Sequence, residues 1–312
     1  MMNEVKVNEL ILQSLEHRSD YFKGLKTTNC FRLFHGIYDG IDQLFVDYLA
    51  GNLFVSGYEW HFEFIPQIKK SIMDLYSIDI KNIYIQDRDI DSSKRAITLF
   101  ADNSSNQNLE PLIVKENGLN YLLKFDKGFH YGLFLEQKII RKDFIQSIEG
   151  LKVLNLFCYT SSFSVALGAK NQTVNVDLNK KYLTWSRENF QLNNIDLNGH
   201  KFIPEDAITF VNRLHNRSEK FDLILFDPPS FANFNKKRWS TKKDWIPAIR
   251  KLFKILAADG KILAIHNLQE WNRQDCYWQL EDFGRQIIVA NTSSDFPARE
   301  NEASFVQSYW LK

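Results

Sequence analysis

The sequence predicts a doubly wound α/β domain over residues 109–312, with an antiparallel terminal strand, preceded by a small α+β domain over residues 1–108. Three observations predict this. The chain has 312 residues, more than the roughly 100 to 200 of one ordinary domain. From Lys152 onward, short apolar runs alternate with helical patterns, as parallel sheets require. Between the two parts lies ADNSSNQNLEP, residues 101–111, which is polar, aperiodic and rich in turn formers, and so reads as a linker.

In the first part, Val7, Leu10, Ile11 and Leu15 fall at helical spacing, and a helix is predicted over residues 5–25. RLFHGIYDG, DQLFVDYL and NLFVSGYEW follow as extended runs separated by Gly40 and by Gly51-Asn52. A helix over residues 64–76 then separates them from NIYIQD and RAITLF. The resulting order, strand, strand, helix, strand, strand, is that of a small α+β module. In the second part, Asn117-Gly118 between two alternating runs signals a hairpin. GFHYGLFLEQKIIRKDFIQSIEG next turns helical before Gly150. The strands KVLNLF, TVNVD, KFIP, FDLILFD and GKILAIHN follow, then RQIIVAN and FVQSYWL, whose connection over residues 292–304 lacks a helical pattern and suits an antiparallel pair.

Hydrophobic residues make up 44% and charged residues 25%, a globular composition. No apolar run approaches the roughly 18 residues that span a bilayer, and the first residues resemble neither a signal nor a transit peptide. Cys30, Cys158 and Cys276 are scattered and form no C-x-x-C pair, so neither a disulfide framework nor a metal site is expected. A reducing, cytoplasmic setting fits. The net charge of +1 gives no global attraction to nucleic acid, so any RNA binding must come from a local patch.

In an open α/β sheet, ligands bind beyond the carboxyl ends of the strands at the switch point. The first strand runs into Asn155-Leu156-Phe157-Cys158-Tyr159-Thr160-Ser161-Ser162, a turn of small and polar residues opening a helix. Its backbone N–H groups can approach a ligand there, or it is a plain β-to-α connection. The second ends at Asp177-Leu178, where a carboxylate can accept ribose hydroxyls or cap a helix. Asp206-Ala207 after the third can meet an adenine amino group or, again, cap. The fourth ends in Asp227-Pro228-Pro229-Ser230-Phe231. Two prolines force a stiff loop that holds the carboxylate outward, and Phe231 offers a stacking face to a nucleobase. Lys236, Lys237, Arg238, Lys242 and Lys243, interleaved with Trp239 and Trp245, follow at once and can hold phosphates.

VLNLFCYTSSFSVALGA, VDLNKKYLTWSRENFQLNN and FDLILFDPPSF resemble motifs I, II and IV of the bacterial 23S ribosomal RNA methyltransferase family that contains large-subunit methyltransferases I and K/L. The resemblance implies a Rossmann-like class I fold, S-adenosylmethionine as cofactor and RNA as acceptor. It places Asn155, Tyr159, Thr160 and Ser162 at the methionine end of the cofactor, Asp177 at the ribose, Asp206 and Ala207 at the adenine and Asp227 at the methyl-transfer edge. Phe157 and Leu178 are counted with them. GLFLEQKIIR resembles a further family element and adds Gln137, although Glu136 and Lys138 depart from its usual residues. Ser161 stands where the family has glycine.

The family's C5-cytosine members carry a cysteine after strand five, where this chain has His266-Asn267. A C5 enzyme needs a thiolate to attack the base; nitrogen acceptors do not. N-methylation of a guanine is therefore expected, with Asp227, Ser230, His266 and Asn267 orienting the base. C5-cytosine methylation, a small-molecule or protein acceptor and a non-catalytic binding module remain alternatives. No membrane or metal partner is expected, and a homodimer is left open.

Overall fold

The computed structural model describes residues 4–90, 97–100, 109–126, 130–234, 237–268, 271, 273–297 and 306–312. It divides into two compact units, residues 1–136 with 293–297, and residues 137–292 with 298–312.

The first unit opens with helices α1 (Glu4–His17) and α2 (Ser19–Lys23). The single helix expected over residues 5–25 breaks at Arg18, whose buried guanidinium is drawn to Asp39 (2.7 Å) and the Asp295 carbonyl (3.2 Å). Strands β1 (Cys30–His35), β2 (Phe45–Leu49) and β3 (Asn52–Gly57), helix α3 (Ile65–Tyr76), and strands β4 (Ile83–Asp87) and β5 (Thr98–Leu99) form a five-stranded sheet in chain order. Val7, Ile11 and Leu15 of α1 and Ile65, Ile68 and Ile72 of α3 are buried with Leu33, Val46 and Val55 of the sheet, each worth about 1.5 to 3 kcal/mol on burial. Strands β6 (Leu112–Glu116) and β7 (Leu119–Leu123) make the hairpin expected at Asn117-Gly118. Both turn residues have positive φ, 51° and 86°, as its tight two-residue turn demands.

That hairpin belongs to the first unit. Asn29 N–H donates to the Lys115 carbonyl at 2.8 Å, and Phe125 stacks on Tyr84 at 3.9 Å. The division expected at residue 108 therefore moves to residue 136. Most of the expected linker, residues 101–108, lies outside the described residues.

The second unit runs α4 (Lys138–Ser147), β8 (Lys152–Leu156), α5 (Ser162–Leu167), β9 (Gln172–Asp177), α6 (Lys180–Leu192), β10 (His200–Pro204), α7 (Ala207–His215), β11 (Phe221–Phe226), β12 (Phe231–Phe234), β13 (Lys237–Ser240), α8 (Thr241–Leu252), β14 (Leu256–His266), α9 (Arg273–Glu281), β15 (Ile287–Val289) and β16 (Gln307–Leu311). Its seven-stranded sheet has the order β10-β9-β8-β11-β14-β16-β15. The first five strands are parallel, while β16 lies antiparallel between β14 and β15. Leu154, Ile224 and Ile262, at the sheet centre, pack into one cluster with Val211, Trp245 and Ile249 from α7 and α8.

Register positions the site. Leu156 of β8 is level with Val176 of β9 and Phe226 of β11. Phe157, Asp177 and Asp227 therefore emerge along one edge, where strand order reverses at β8. No helix among the described residues is long and apolar enough to cross a membrane.

Candidate active site

The turn after β8 is built on three left-handed residues that are not glycine: Phe157 (φ 56°), Tyr159 (φ 49°) and Ser161 (φ 58°). Each such state costs about 1 to 2 kcal/mol, so its surroundings must hold it. Below, Cys158 N–H donates to the Val176 carbonyl at 3.1 Å and Tyr159 N–H to Asp177 Oδ2 at 3.0 Å. From the side, α6 contributes two residues that sequence reasoning passed over. Ser186 Oγ lies 2.9 Å from the Tyr159 carbonyl and accepts from Ser161 Oγ at 2.9 Å, and Asn189 donates to the Thr160 carbonyl at 3.1 Å. Only their helical spacing, three apart on one buried face, hinted at them. Arg141 of α4, also passed over, is buried and reaches Ser162 Oγ at 3.5 Å.

Asp177 caps this arrangement. Its Oδ1 accepts from Asn179 N–H at 2.9 Å, so each oxygen takes one backbone bond and keeps a second lone pair for a ligand. Burial pushes its pKa above the ordinary carboxylate value, and the two N–H bonds pull the other way. Leu178 beside it is exposed. A carboxylate with spare acceptor lone pairs next to an open apolar side chain can accept from a vicinal diol whose attached flat base lies against the apolar group. Asp206 caps α7, with Oδ1 accepting from Thr209 N–H at 2.8 Å and from Thr209 Oγ1 at 2.6 Å. Ala207 follows it, buried in the first turn of α7. Asp206 thus acts as the cap that its sequence position also allowed.

Three residues expected at the ligand turn elsewhere. Asn155 is buried and donates to Ser164 Oγ at 2.9 Å, tying β8 to α5. Gln137 is buried against Ser308 of β16 at 3.4 Å. His266 is fully buried among Trp245, Trp271 and Tyr309, so it cannot touch an acceptor as expected. Its burial follows from β14 continuing to this residue, opposite Gln307.

The loop after β11 is stiff for reasons beyond its prolines. The Pro229 carbonyl accepts from Trp239 Nε1 at 2.9 Å and Thr241 Oγ1 at 2.8 Å, and the Ser230 carbonyl from Thr241 N–H at 3.0 Å. Phe157 connects the two loops, its ring 5.9 Å from Phe226 and 5.5 Å from Trp239. Ser230 Oγ donates to Asn267 Oδ1, bridging the ends of β11 and β14.

Arg238 and Trp239 of the basic run lie on β13, which pairs antiparallel with β12 so that Phe231 faces Ser240 and Ala232 faces Trp239. Alternation sends buried Trp239 inward and leaves Phe231, 45% exposed, on the outer face with the Arg238 guanidinium 4.6 Å from its ring centroid. Lys242 and Lys243 are exposed at the start of α8. Lys236 and the side chain of Lys237 lie outside the described residues. Among the described residues, no group of three His, Cys, Asp or Glu side chains could hold a metal.

A sheet of order β10-β9-β8-β11-β14-β16-β15, an acidic residue ending the second strand at the switch point and an Asp-Pro-Pro loop ending the fourth define a class I methyltransferase fold. The chain belongs to the S-adenosylmethionine-dependent methyltransferase family, whose family model matches residues 31–282. YwbD of Bacillus subtilis strain 168, whose name is that of a ribosomal RNA large subunit methyltransferase, is 31% identical over 260 residues, which are 82% of this chain and 65% of YwbD. Ribosomal RNA large subunit methyltransferase K of Neisseria meningitidis serogroup B is 33% identical over 186 residues, 57% of this chain and 52% of that protein. The chain therefore spans between half and two thirds of the length of these relatives. The crystal structure of the methyltransferase SMU.776 complexed with SAH matches with a TM-score of 0.86 at 26% identity, over 100% of this chain and 82% of that one.

Proposed function

We propose that the protein transfers a methyl group from S-adenosylmethionine to a guanine nitrogen in large-subunit ribosomal RNA. When bound, the cofactor supplies an electrophilic methyl on a sulfonium. Asp177 would hold the ribose hydroxyls, Leu178 and Ala207 would flank the base, with Asp206 at its amino edge, and Tyr159, Thr160 and Ser162 would face the methionine end. Asp227, Ser230 and Asn267 would orient the acceptor edge, so that positioning supplies much of the rate. Phe231 and Arg238 would take a neighbouring base and phosphate, with Lys236, Lys237, Lys242 and Lys243 adding charge along the strand. The names of YwbD and the Neisseria protein support the RNA acceptor. All these residues lie in one unit of one chain, and no homodimer is proposed.

One observation carries the choice of nitrogen over C5 of cytosine. Strand β14 ends at His266, with Asn267 directly after it, and the chain's three cysteines are all buried. Burial pushes the Cys158 thiol well above its ordinary pKa and Cys276 up to about 11, the reverse of an activated thiolate. The test is transfer of labelled methyl into total RNA from cells lacking the gene, followed by nucleoside analysis. Methylguanosine is expected. The Cys158→Ser variant should keep most of its rate, and RNA carrying 5-fluorocytosine should give no covalent adduct. 5-Methylcytidine, or that adduct, would overturn the assignment.

A further inference from the structure

We infer that His266 is a positioning residue: in a buried cluster with Cys276, Tyr309 and Gln307 it holds the backbone N–H of Leu268 and so sets where the neighbouring Asn267 stands. The inference rests on the reading that Asn267 and Ser230 orient the acceptor.

Leu268 N–H donates to His266 Nδ1 at 3.2 Å. Because Nδ1 accepts, a neutral imidazole must carry its proton on Nε2, and Nε2 lies 3.1 Å from Cys276 Sγ. The Tyr309 ring lies 6.0 Å from that of His266 and nearly parallel to it. Its hydroxyl donates to Gln307 Oε1, and Gln307 Nε2 donates to the Trp271 carbonyl at 2.8 Å. His266 thus holds the backbone N–H of Leu268, and Gln307, oriented by Tyr309, holds the backbone carbonyl of Trp271, three residues later.

The members of this cluster come from β14, α9 and β16, and between them they bind the backbone at Leu268 and Trp271. Trp245 Nε1 adds a bond to the Ile265 carbonyl at 2.9 Å, fixing the strand just before it. His266, Cys276 and Tyr309 are fully buried, and burial lowers the His266 pKa to about 4, which keeps Nδ1 an acceptor at neutral pH. Immediately above, Asn267 is exposed and accepts from Ser230. No atom of His266 need touch the acceptor for it to set where Asn267 stands.

The experiment separates the two ends of the imidazole in the full chain. In His266→Asn the amide oxygen stands near the place of Nδ1 and can still receive Leu268 N–H; in His266→Gln the amide nitrogen can reach Cys276 but the loop-side acceptor is gone. Methyl-transfer kcat should order wild type, Asn, Gln, then His266→Leu, the last about tenfold or more below wild type. Cofactor affinity by calorimetry should stay within about twofold throughout, because the cofactor turn lies on other strands. Tyr309→Phe removes one hydroxyl at nearly constant volume and should lower kcat with cofactor affinity unchanged, which keeps the test open if His266 variants fold poorly. Nitrogen-15 NMR of the wild type should find the Nε2–H tautomer. A Gln variant as active as Asn, a wild-type rate in Tyr309→Phe, or the Nδ1–H tautomer would overturn the inference. Asn267→Ala distinguishes the premise: if it alone keeps full activity, the acceptor reading fails rather than the positioning role of His266.

Discussion

The two loops that meet at the switch point are held in opposite ways. The turn after β8 places strained backbone at residues 157, 159 and 161 and offsets that strain with bonds from Asp177, Ser186 and Asn189. The loop after β11 needs no left-handed residue, since two prolines, Trp239 and Thr241 fix it, and it leaves Pro229 and Phe231 exposed. The first turn is closed on itself, whereas the second is rigid beneath and open above; the proposed function gives the first to the cofactor and the second to the acceptor.

The strongest break in this contrast is expected from Asp227→Ala. It should lower kcat by about 100-fold or more, by loosening the acceptor at the methyl, while calorimetric cofactor affinity changes far less. Equal losses in both would mean that the two loops act as one site. Next comes Asp177→Ala, which removes the proposed ribose partner and also the acceptor for Tyr159 N–H. A loss of about 2 to 4 kcal/mol in cofactor binding is expected. The raised Asp177 pKa adds a pH test with a defined sign. The carboxyl takes up its proton at a higher pH than an ordinary carboxylate, so acceptor capacity, and with it affinity, should begin to fall sooner as pH drops from 7 towards 4.

Ser161 sharpens the comparison more finely. Ser161→Gly relieves the left-handed strain but loses the bond to Ser186, whereas Ser161→Ala keeps the strain and loses the bond. The glycine variant should therefore be more stable than the alanine variant by about 1 kcal/mol in denaturant melts. The smallest effect is on the outer face: Arg238→Ala should reduce the log-log salt slope of RNA binding by about one unit. An unchanged slope would leave Arg238 a partner of Phe231 only.

Features encoded by local chemistry were legible in the sequence. Asp177 and Asp227 sit at the ends of apolar runs, Asn117-Gly118 can make few turns other than its own, and Asp206 is a cap by position and residue type. Features decided by distant partners were not. The Gln137 side chain answers to Ser308, 171 positions away. Arg18 breaks an otherwise continuous helix without glycine or proline, because Asp39 and Asp295 wait for it. The pairing of Phe231–Phe234 with Lys237–Ser240 was not legible either, because inward Trp239 is fixed by the Pro229 carbonyl, ten positions earlier. His266 misled for a related reason: a residue at a strand end can face the ligand or the core, and alternation alone does not choose.

The segment 293–297, which belongs to the first unit although the chain on both sides of it belongs to the second, bears on how the protein is made. Asp295 is fully buried, accepts from Arg32 N–H at 2.9 Å and Tyr21 Oη at 3.1 Å, and lends its carbonyl to Arg18. Phe296 lies under the Arg32 guanidinium at 4.6 Å. During synthesis, domains ordinarily complete themselves in order from the amino terminus. Arg18 and Arg32 have Asp39 and Asp47 as earlier partners, but the Arg32 N–H, the Tyr21 hydroxyl and the remaining Arg18 donors gain theirs only with Asp295, so the first unit is completed late and a nascent chain arrested before Asp295 should be digested more readily by protease in that unit.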